Sequence, residues 1–312
     1  MTQIKTRITE MLGIEKPIIQ AAMGWIARAQ LSSAFSNAGG MGIIETSSGE
    51  LDAVREEILK MKTRTDKPFG VNIAQAFVRE PDIVSFIIDQ GVKFVTTSAG
   101  DPMKYTAMLK EAGLTVFHVV PSLKGALRAI EAGVDGLIVE GGEGGGFKNP
   151  KDVASMVLIP LVAEAVDVPI VAAGGIADGR SMAAAFALGA EGVLMGTRVL
   201  TASESPVHQN WKDAIVGAEA TDTVFLNRSG PGPALRALRT ERTSRIQKEG
   251  VDNIFGEFAG TQKVYFEGDL EAGIALTGQV AGRIQNIRPI ADILESTMEE
   301  FHAVAARMAG YA

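Results

Sequence analysis

Three glycine turns carry most of the chemistry this sequence offers. The first, Val139-Glu140-Gly141-Gly142-Glu143-Gly144-Gly145-Gly146-Phe147, follows the apolar run Gly136-Leu137-Ile138-Val139. The second is Ala172-Ala173-Gly174-Gly175-Ile176-Ala177-Asp178-Gly179 and the third Met195-Gly196-Thr197-Arg198, each again behind a short apolar stretch. Residues without Cβ let backbone approach a bound group closely and present several N–H donors to one anion. Three such turns at the ends of successive strands point to one anionic cofactor held from one face, and Thr197 can add a hydroxyl. Glu143, among the glycines, is a candidate acid or base; an exposed loop carboxylate is the plain alternative. His118, at the end of another apolar run, is a candidate proton donor or cofactor contact, against the plain alternative of a barrel histidine satisfied by its neighbours. His208 and His302 are expected at surface or packing positions.

Composition removes other chemistries. The 312 residues include no cysteine, which excludes disulfides, thiolate metal sites and a cysteine nucleophile. No histidine or carboxylate cluster has metal-ligand spacing, so no metal is expected. A net charge of -7 argues against a nucleic-acid partner, whose affinity would come mainly from a basic face. The first residues lack the apolar segment of a secretory signal, and no apolar run reaches the roughly 18 residues of a spanning helix. A cytoplasmic protein without a membrane partner is expected.

The elements that must position these residues alternate. Apolar strands are predicted at 17–24, 42–45, 69–73, 94–97, 115–119, 137–139, 169–172 and 192–195. Helices are predicted between them over 27–37, 51–62, 81–90, 102–112, 122–132, 159–166 and 181–188, several closed by a glycine such as Gly113, Gly133 or Gly189. Continuously apolar strands are buried on both faces, as in a parallel sheet. Strand–helix units in this number and over this length predict an α/β fold, a closed (β/α)8 TIM barrel. Residues 1–200 and 270–312 would form the barrel, with closing helices over 276–287 and 290–305. Residues 201–269 would be a helical insertion after strand 8, acting as a lid over the mouth. Its Arg228, Arg236, Arg239, Arg242 and Arg245 read as a solvated or ion-paired face. In such barrels a phosphate is often bound by the loops after strands seven and eight. Ala173-Gly174-Gly175 and Met195-Gly196-Thr197 hold those two places. This reading reaches a phosphate without assigning it to a substrate or a cofactor.

Pro17-Ile18-Ile19-Gln20-Ala21-Ala22-Met23, Phe69-Gly70-Val71-Asn72, Glu140-Gly141-Gly142-Glu143-Gly144-Gly145-Gly146, Ala173–Arg180, Met195-Gly196-Thr197-Arg198 and Gly278-Gln279-Val280-Ala281-Gly282 together resemble the nitronate monooxygenase (2-nitropropane dioxygenase) family. That family includes flavin-containing enoyl-acyl-carrier-protein reductases and NADH:quinone reductases. The resemblance implies a TIM barrel binding FMN at the strand ends. By it, Ala173, Gly174, Gly175, Met195, Gly196 and Thr197 would hold the FMN phosphate. Ala22, Met23, Gly24 and Asn72 would lie along the isoalloxazine, and Glu140 and Gly144–Gly146 would line its other contacts. The sequence departs from the family at one place. Members usually carry a histidine directly after the glycine run, and here the residue is Phe147. A phenyl ring cannot exchange a proton as an imidazole does near neutral pH. Phe147 is instead expected to form an apolar wall of the substrate pocket beside Met23.

The preferred expectation is therefore an FMN-dependent oxidoreductase passing hydride between flavin and an enone, enoyl thioester or quinone. No dinucleotide-binding fingerprint is present, so NADH or NADPH would act as a transient co-substrate over the flavin. Three alternatives stand beside it: a nitronate monooxygenase using O2, an FMN-dependent double-bond isomerase, and a flavin-free barrel acting on a phosphosugar or nucleotide. The expected partner is a small-molecule substrate, and a homo-oligomer is compatible with the sequence.

Overall fold

The computed structural model describes residues 4–78 and 82–311. Each of the eight apolar runs becomes a strand of one parallel sheet: β1 (Ile18–Gln20), β2 (Gly42–Ile44), β3 (Phe69–Ala74), β4 (Phe94–Ser98), β5 (Thr115–Val120), β6 (Gly136–Glu140), β8 (Ile170–Ala173) and β9 (Gly192–Met195). The strand order is β1-β9-β8-β6-β5-β4-β3-β2. A parallel bridge between Ile19 and Met41 closes the remaining seam, with Gln20 N–H donating to the Met41 carbonyl at 2.9 Å and Met41 N–H to that of Ile18 at 2.9 Å. The result is the TIM barrel predicted from strand count and apolar continuity.

Helix α1 (Arg7–Leu12) precedes β1, and α2 (Ala29–Asn37), α3 (Leu51–Arg64), α4 (Asp82–Asp89), α5 (Thr106–Glu111), α6 (Leu123–Glu131), α7 (Ser155–Ala163) and α8 (Gly179–Ala187) surround the barrel, with a single turn, α9 (Thr197–Leu200), after β9. The predicted start of α4 at Pro81 lies outside the described residues. The polar lead-in contains α1, capped at Thr6 by a reciprocal Thr6–Thr9 pair. Its Ile8 and Leu12 pack with Ile19, Ile43, Phe94, Phe117 and Ile138, the inward side chains that fill the barrel. α1 is thus a plug for the barrel floor, and the C-terminal ends of the strands form the open side.

Successive side chains on a strand face opposite ways, and in a barrel this sorts them into two cores. On β5, Phe117 faces the barrel axis while Val116 and Val120 pack outward against the helices. On β6, Ile138 faces inward while Leu137 and Val139 face outward. That parity places Glu140 on the inward side of β6 and His118 on the outward side of β5.

The region after β9 departs from the helical insertion expected. It does contain α10 (Gln209–Val216) and α11 (Glu241–Glu249), but β10 (Thr223–Leu226) and β11 (Ala234–Leu238) form an antiparallel hairpin between them. Gly230-Pro231-Gly232-Pro233 is its turn rather than a break in a helix. Val224, Leu226, Leu235 and Ala237 alternate along the hairpin and build a small core of their own. Arg228, Arg236 and Arg239 therefore lie on or beside the hairpin, and only Arg242 and Arg245 are helical. β11 also pairs antiparallel with β7 (Gly146–Lys148), the end of the first glycine turn. The helix expected over 276–287 is reduced to one short 3-10 stretch, Gln279–Arg283. Gly278 and Gly282 are packed so tightly against Gly145 and Ala220 backbone that this segment follows its neighbours, not its own periodicity. The closing helix α12 (Ile290–Ala309) seats on α8, where a Cβ at Gly179 would fall 2.3 Å from the Phe301 nitrogen.

Candidate active site

A cavity of about 970 Å³ opens at the C-terminal ends of the strands. That is at the upper end of the roughly 300–1,000 Å³ of small-molecule sites, with room for a cofactor and a substrate together. The first glycine turn borders it and is held from several sides. Arg236 donates from Nε to the Gly142 carbonyl at 2.7 Å, and Gly142 N–H donates to Val153 at 2.8 Å. The Glu143 carboxylate accepts from the Ser155 hydroxyl at 2.7 Å and from its N–H at 3.0 Å, tying the turn to the start of α7. The Glu143 carbonyl accepts from Gln279 N–H at 2.9 Å. So a run of five glycines, flexible in isolation, is fixed by its surroundings.

The three turns interlock. A Cβ on Gly174, whose φ is +86°, would lie 3.0 Å from the Gly141 carbonyl and 3.3 Å from Gly144 nitrogen. A Cβ on Gly145 would lie 2.7 Å from Gly278 nitrogen. Gly278 N–H in turn donates to Thr197 Oγ1 at 2.8 Å, leaving the threonine hydroxyl proton to donate elsewhere. The N–H groups of Gly175 and Gly196 donate to no protein acceptor among the described residues. Free donors over a cradle that side chains would fill suit a phosphate, and the cavity beyond suits a planar ring. The residues present therefore fit FMN. Gly174, Gly175, Gly196 and Thr197 would hold its phosphate, with Ala173 and Met195 ending the strands beneath them. Ala22, Met23 and Gly24, which follow β1 beside β9, and Asn72 on β3 border the same cavity.

Asn72 is 4% exposed and does not lack partners: its Nδ2 donates to Thr96 Oγ1 at 2.9 Å and to Ser98 Oγ at 3.2 Å. Glu140, at the inward end of β6, pairs with the Lys148 ammonium, whose side chain is only 4% exposed. Sequence reasoning missed Lys148 because a three-residue strand carries no periodic signal. It missed Arg236 because the hairpin was read as a helical face; that guanidinium is buried between Gly142 and Asp152, 3.9 Å away, and desolvation lowers its pKa against the pull of Asp152.

His118 borders the cavity from the outward side of β5, its Nδ1 2.7 Å from Thr97 Oγ1. Burial pushes its pKa down to about 4, with Asp101 pulling weakly the other way, so the ring is neutral near pH 7. Phe147 stacks on Phe258 at 5.5 Å and 11° and meets Phe77 at 5.5 Å, forming an aromatic wall. Trp211 and Tyr265 stack at 4.5 Å on the insertion side, and burial raises the Tyr265 pKa. Trp25, next to Gly24, holds φ at +62°, an outlier for a bulky residue, with its Nε1 donating to Glu50 at 2.9 Å. Among the described residues no group of three or more His, Asp or Glu could hold a metal, and no helix is long and apolar enough to cross a membrane.

Fold and family together define a class: a TIM-barrel oxidoreductase of the flavoprotein kind. The chain belongs to the nitronate monooxygenase family, whose model matches residues 5–83 and 75–300. FabK from Thermotoga maritima superposes with a TM-score of 0.92 at 41% identity, over 99% of this chain and 100% of that one. A (3aS,4S,5R,7aS)-5-hydroxy-7a-methyl-1-oxo-octahydro-1H-indene-4-carboxyl-CoA dehydrogenase of Mycobacterium tuberculosis is 34% identical, covering 94% of this chain and 95% of its own length. A probable nitronate monooxygenase of Staphylococcus saprophyticus is 32% identical over 77% of this chain and 80% of that protein.

Proposed function

We propose that this protein is an FMN-dependent oxidoreductase exchanging hydride with a bulky, apolar substrate whose reacting carbon is conjugated to a carbonyl, such as an enone, an enoyl or ring-bearing thioester, or a quinone. The observation that carries this reading is the aromatic wall of Phe77 and Phe147, with Phe258 stacked behind Phe147. It stands where an ionisable imidazole would suit a small anionic nitronate. The similarity to a dehydrogenase named for a fused-ring carboxyl-CoA supports a ring-bearing substrate.

When bound, FMN would supply two-electron exchange at its N5. The protein's own contributions are separable. The glycine cradle and Thr197 anchor the phosphate. Asn72, its Nδ2 held by Thr96 and Ser98, would border the ring as part of the fixed cavity wall. The aromatic wall excludes water and orients the substrate by stacking. Glu143 holds the turn through Ser155, and neutral His118 fixes β4 to β5 through Thr97 while facing the rim of the cavity. The open cavity leaves room for NADH or NADPH as a transient reductant.

The second reading, nitronate oxidation with O2, is favoured by the family and by relatives such as that of Staphylococcus saprophyticus. Anaerobic mixing of the purified yellow protein with NADH, NADPH and propyl-2-nitronate separates the two. Bleaching by a reduced nicotinamide, with re-oxidation by an enone or quinone, is expected. Bleaching by the nitronate alone would overturn the reading in favour of the second.

A further inference from the structure

Nothing in the phosphate cradle uses the Lys148–Glu140 pair, yet the pair stands at the barrel mouth. Glu140 ends β6 on the side that faces the axis, continuing the inward line of Ile138. Lys148 reaches it from β7, the strand that crosses the mouth and is fixed there by pairing with β11. The two lie against the backbone of Gly144, where a Cβ would be 2.7 Å from Glu140 Oε1 and 2.8 Å from Lys148 Nζ. Both border the cavity. An ammonium has three donors. Among the described residues Glu140 is the only acceptor that Nζ meets. A buried charge left with unused donors is costly unless something else satisfies it. A lock between β6 and β7 alone could be made by apolar packing without that cost.

We propose that Lys148 is the substrate-orienting residue of this site, its ammonium holding the oxygen of the substrate's carbonyl in place of the imidazole absent at position 147. This rests on the oxidoreductase reading. Glu140 pairs with the ammonium in the resting site, and the two donors left over suit a carbonyl oxygen that gains negative charge during reaction, for which a phenolate oxygen is a stand-in. Phe147, the neighbour of Lys148 in β7, points to the opposite face of that strand and packs with Phe77 and Phe258, so the two residues border the cavity from different sides of β7.

The test is titration of the flavin-loaded protein with 4-chlorophenol, a ring bearing one ionisable oxygen, at a fixed pH below the phenol's own pKa. A cation within a few ångströms lowers an acid's pKa by about 1–3, so the wild-type protein should bind the phenolate. Its electron-rich ring would then give a long-wavelength charge-transfer band against oxidised flavin. Lys148→Met should keep its flavin, lose the band and bind the phenol at least tenfold more weakly, while Lys148→Arg should recover most of both. Glu140→Gln removes the competing negative charge and should tighten phenolate binding; a merely structural pair predicts the reverse. The inference is overturned if Lys148→Met retains the wild-type band and affinity, if the wild-type protein gives neither, or if Glu140→Gln weakens binding. Trp211 borders the same cavity, so its fluorescence follows the titration in flavin-free protein. Absence of flavin would strike the oxidoreductase reading alone, whereas Lys148-independent binding followed by fluorescence would strike this one.

Discussion

Replacing Gly174 by alanine puts a methyl group where the first two glycine turns touch. Two costs follow, and the structure separates them. At φ +86° an L-residue is in the left-handed region, which costs roughly 1–2 kcal/mol. The new Cβ would also stand 3.0 Å from the Gly141 carbonyl and 3.3 Å from the Gly141 and Gly144 nitrogens, all backbone atoms that cannot rotate away. The turns must then part. Gly133→Ala isolates the first cost, because its φ is +82° and its Cβ meets nothing within 4 Å. For a chain of this size about 1 kcal/mol moves the melting midpoint by roughly 2 °C, so Gly133→Ala should lower it by about 2–4 °C and leave FMN affinity unchanged. Gly174→Ala should lower the midpoint further. If its displaced turn loses one charge-assisted hydrogen bond to the phosphate, about 1.5–3 kcal/mol is lost, which weakens FMN binding by about tenfold to a hundredfold. Calorimetric titration of FMN into the flavin-free variants, with melts at zero and saturating FMN, measures both terms. Equal FMN affinity in the wild-type protein and Gly174→Ala would refute the assignment of this cradle to the phosphate.

Arg236→Met removes the donor to the Gly142 carbonyl from a buried position, at a cost of about 2 kcal/mol. Amide exchange at Gly144 and Gly145 should quicken while the rest of the barrel is unchanged; unchanged exchange there would show that Arg236 does not hold the turn. His118 has a folded pKa of about 4 against 6.5 for the free side chain. The unfolded chain therefore binds the proton first as pH falls. The contribution is complete above pH 6.5 and is lost progressively toward pH 4, reaching about 3 kcal/mol. Denaturant melts from pH 7 to 4 should show this slope and show it flattened in His118→Gln; parallel curves would mean that His118 is not buried neutral. Phe147→His returns an imidazole to the aromatic wall and should raise oxygen uptake with propyl-2-nitronate at least tenfold. No change would mean that residue 147 does not decide between the two chemistries.

The barrel was legible because its signals are local. A run such as Gly192-Val193-Leu194-Met195 is apolar throughout, and burial on both faces requires that of each strand separately. The glycine turns were legible for the same reason, since a missing Cβ is a property of one residue. The hairpin was not. Thr223–Leu226 and Ala234–Leu238 are four and five residues long, and arginines at 228, 236, 239, 242 and 245 read as one helical face until β7 supplies the strand that β11 pairs with. The segment 276–287 has helical spacing, but Gly278 and Gly282 bind it to the glycine turn and to Ala220.

The sequence by itself determined the barrel, its open end and the three glycine turns there, because strand burial and the lack of a Cβ act at the residue that carries them. Tertiary structure alone decided which side chains meet at the mouth. The direction of His118 and Glu140 follows from strand parity around a closed sheet. Lys148 reaches Glu140, and Arg236 reaches Gly142, only after β7, β10 and β11 have paired. Those contacts join residues as much as 94 positions apart, and no local pattern encodes a distance that chain closure sets.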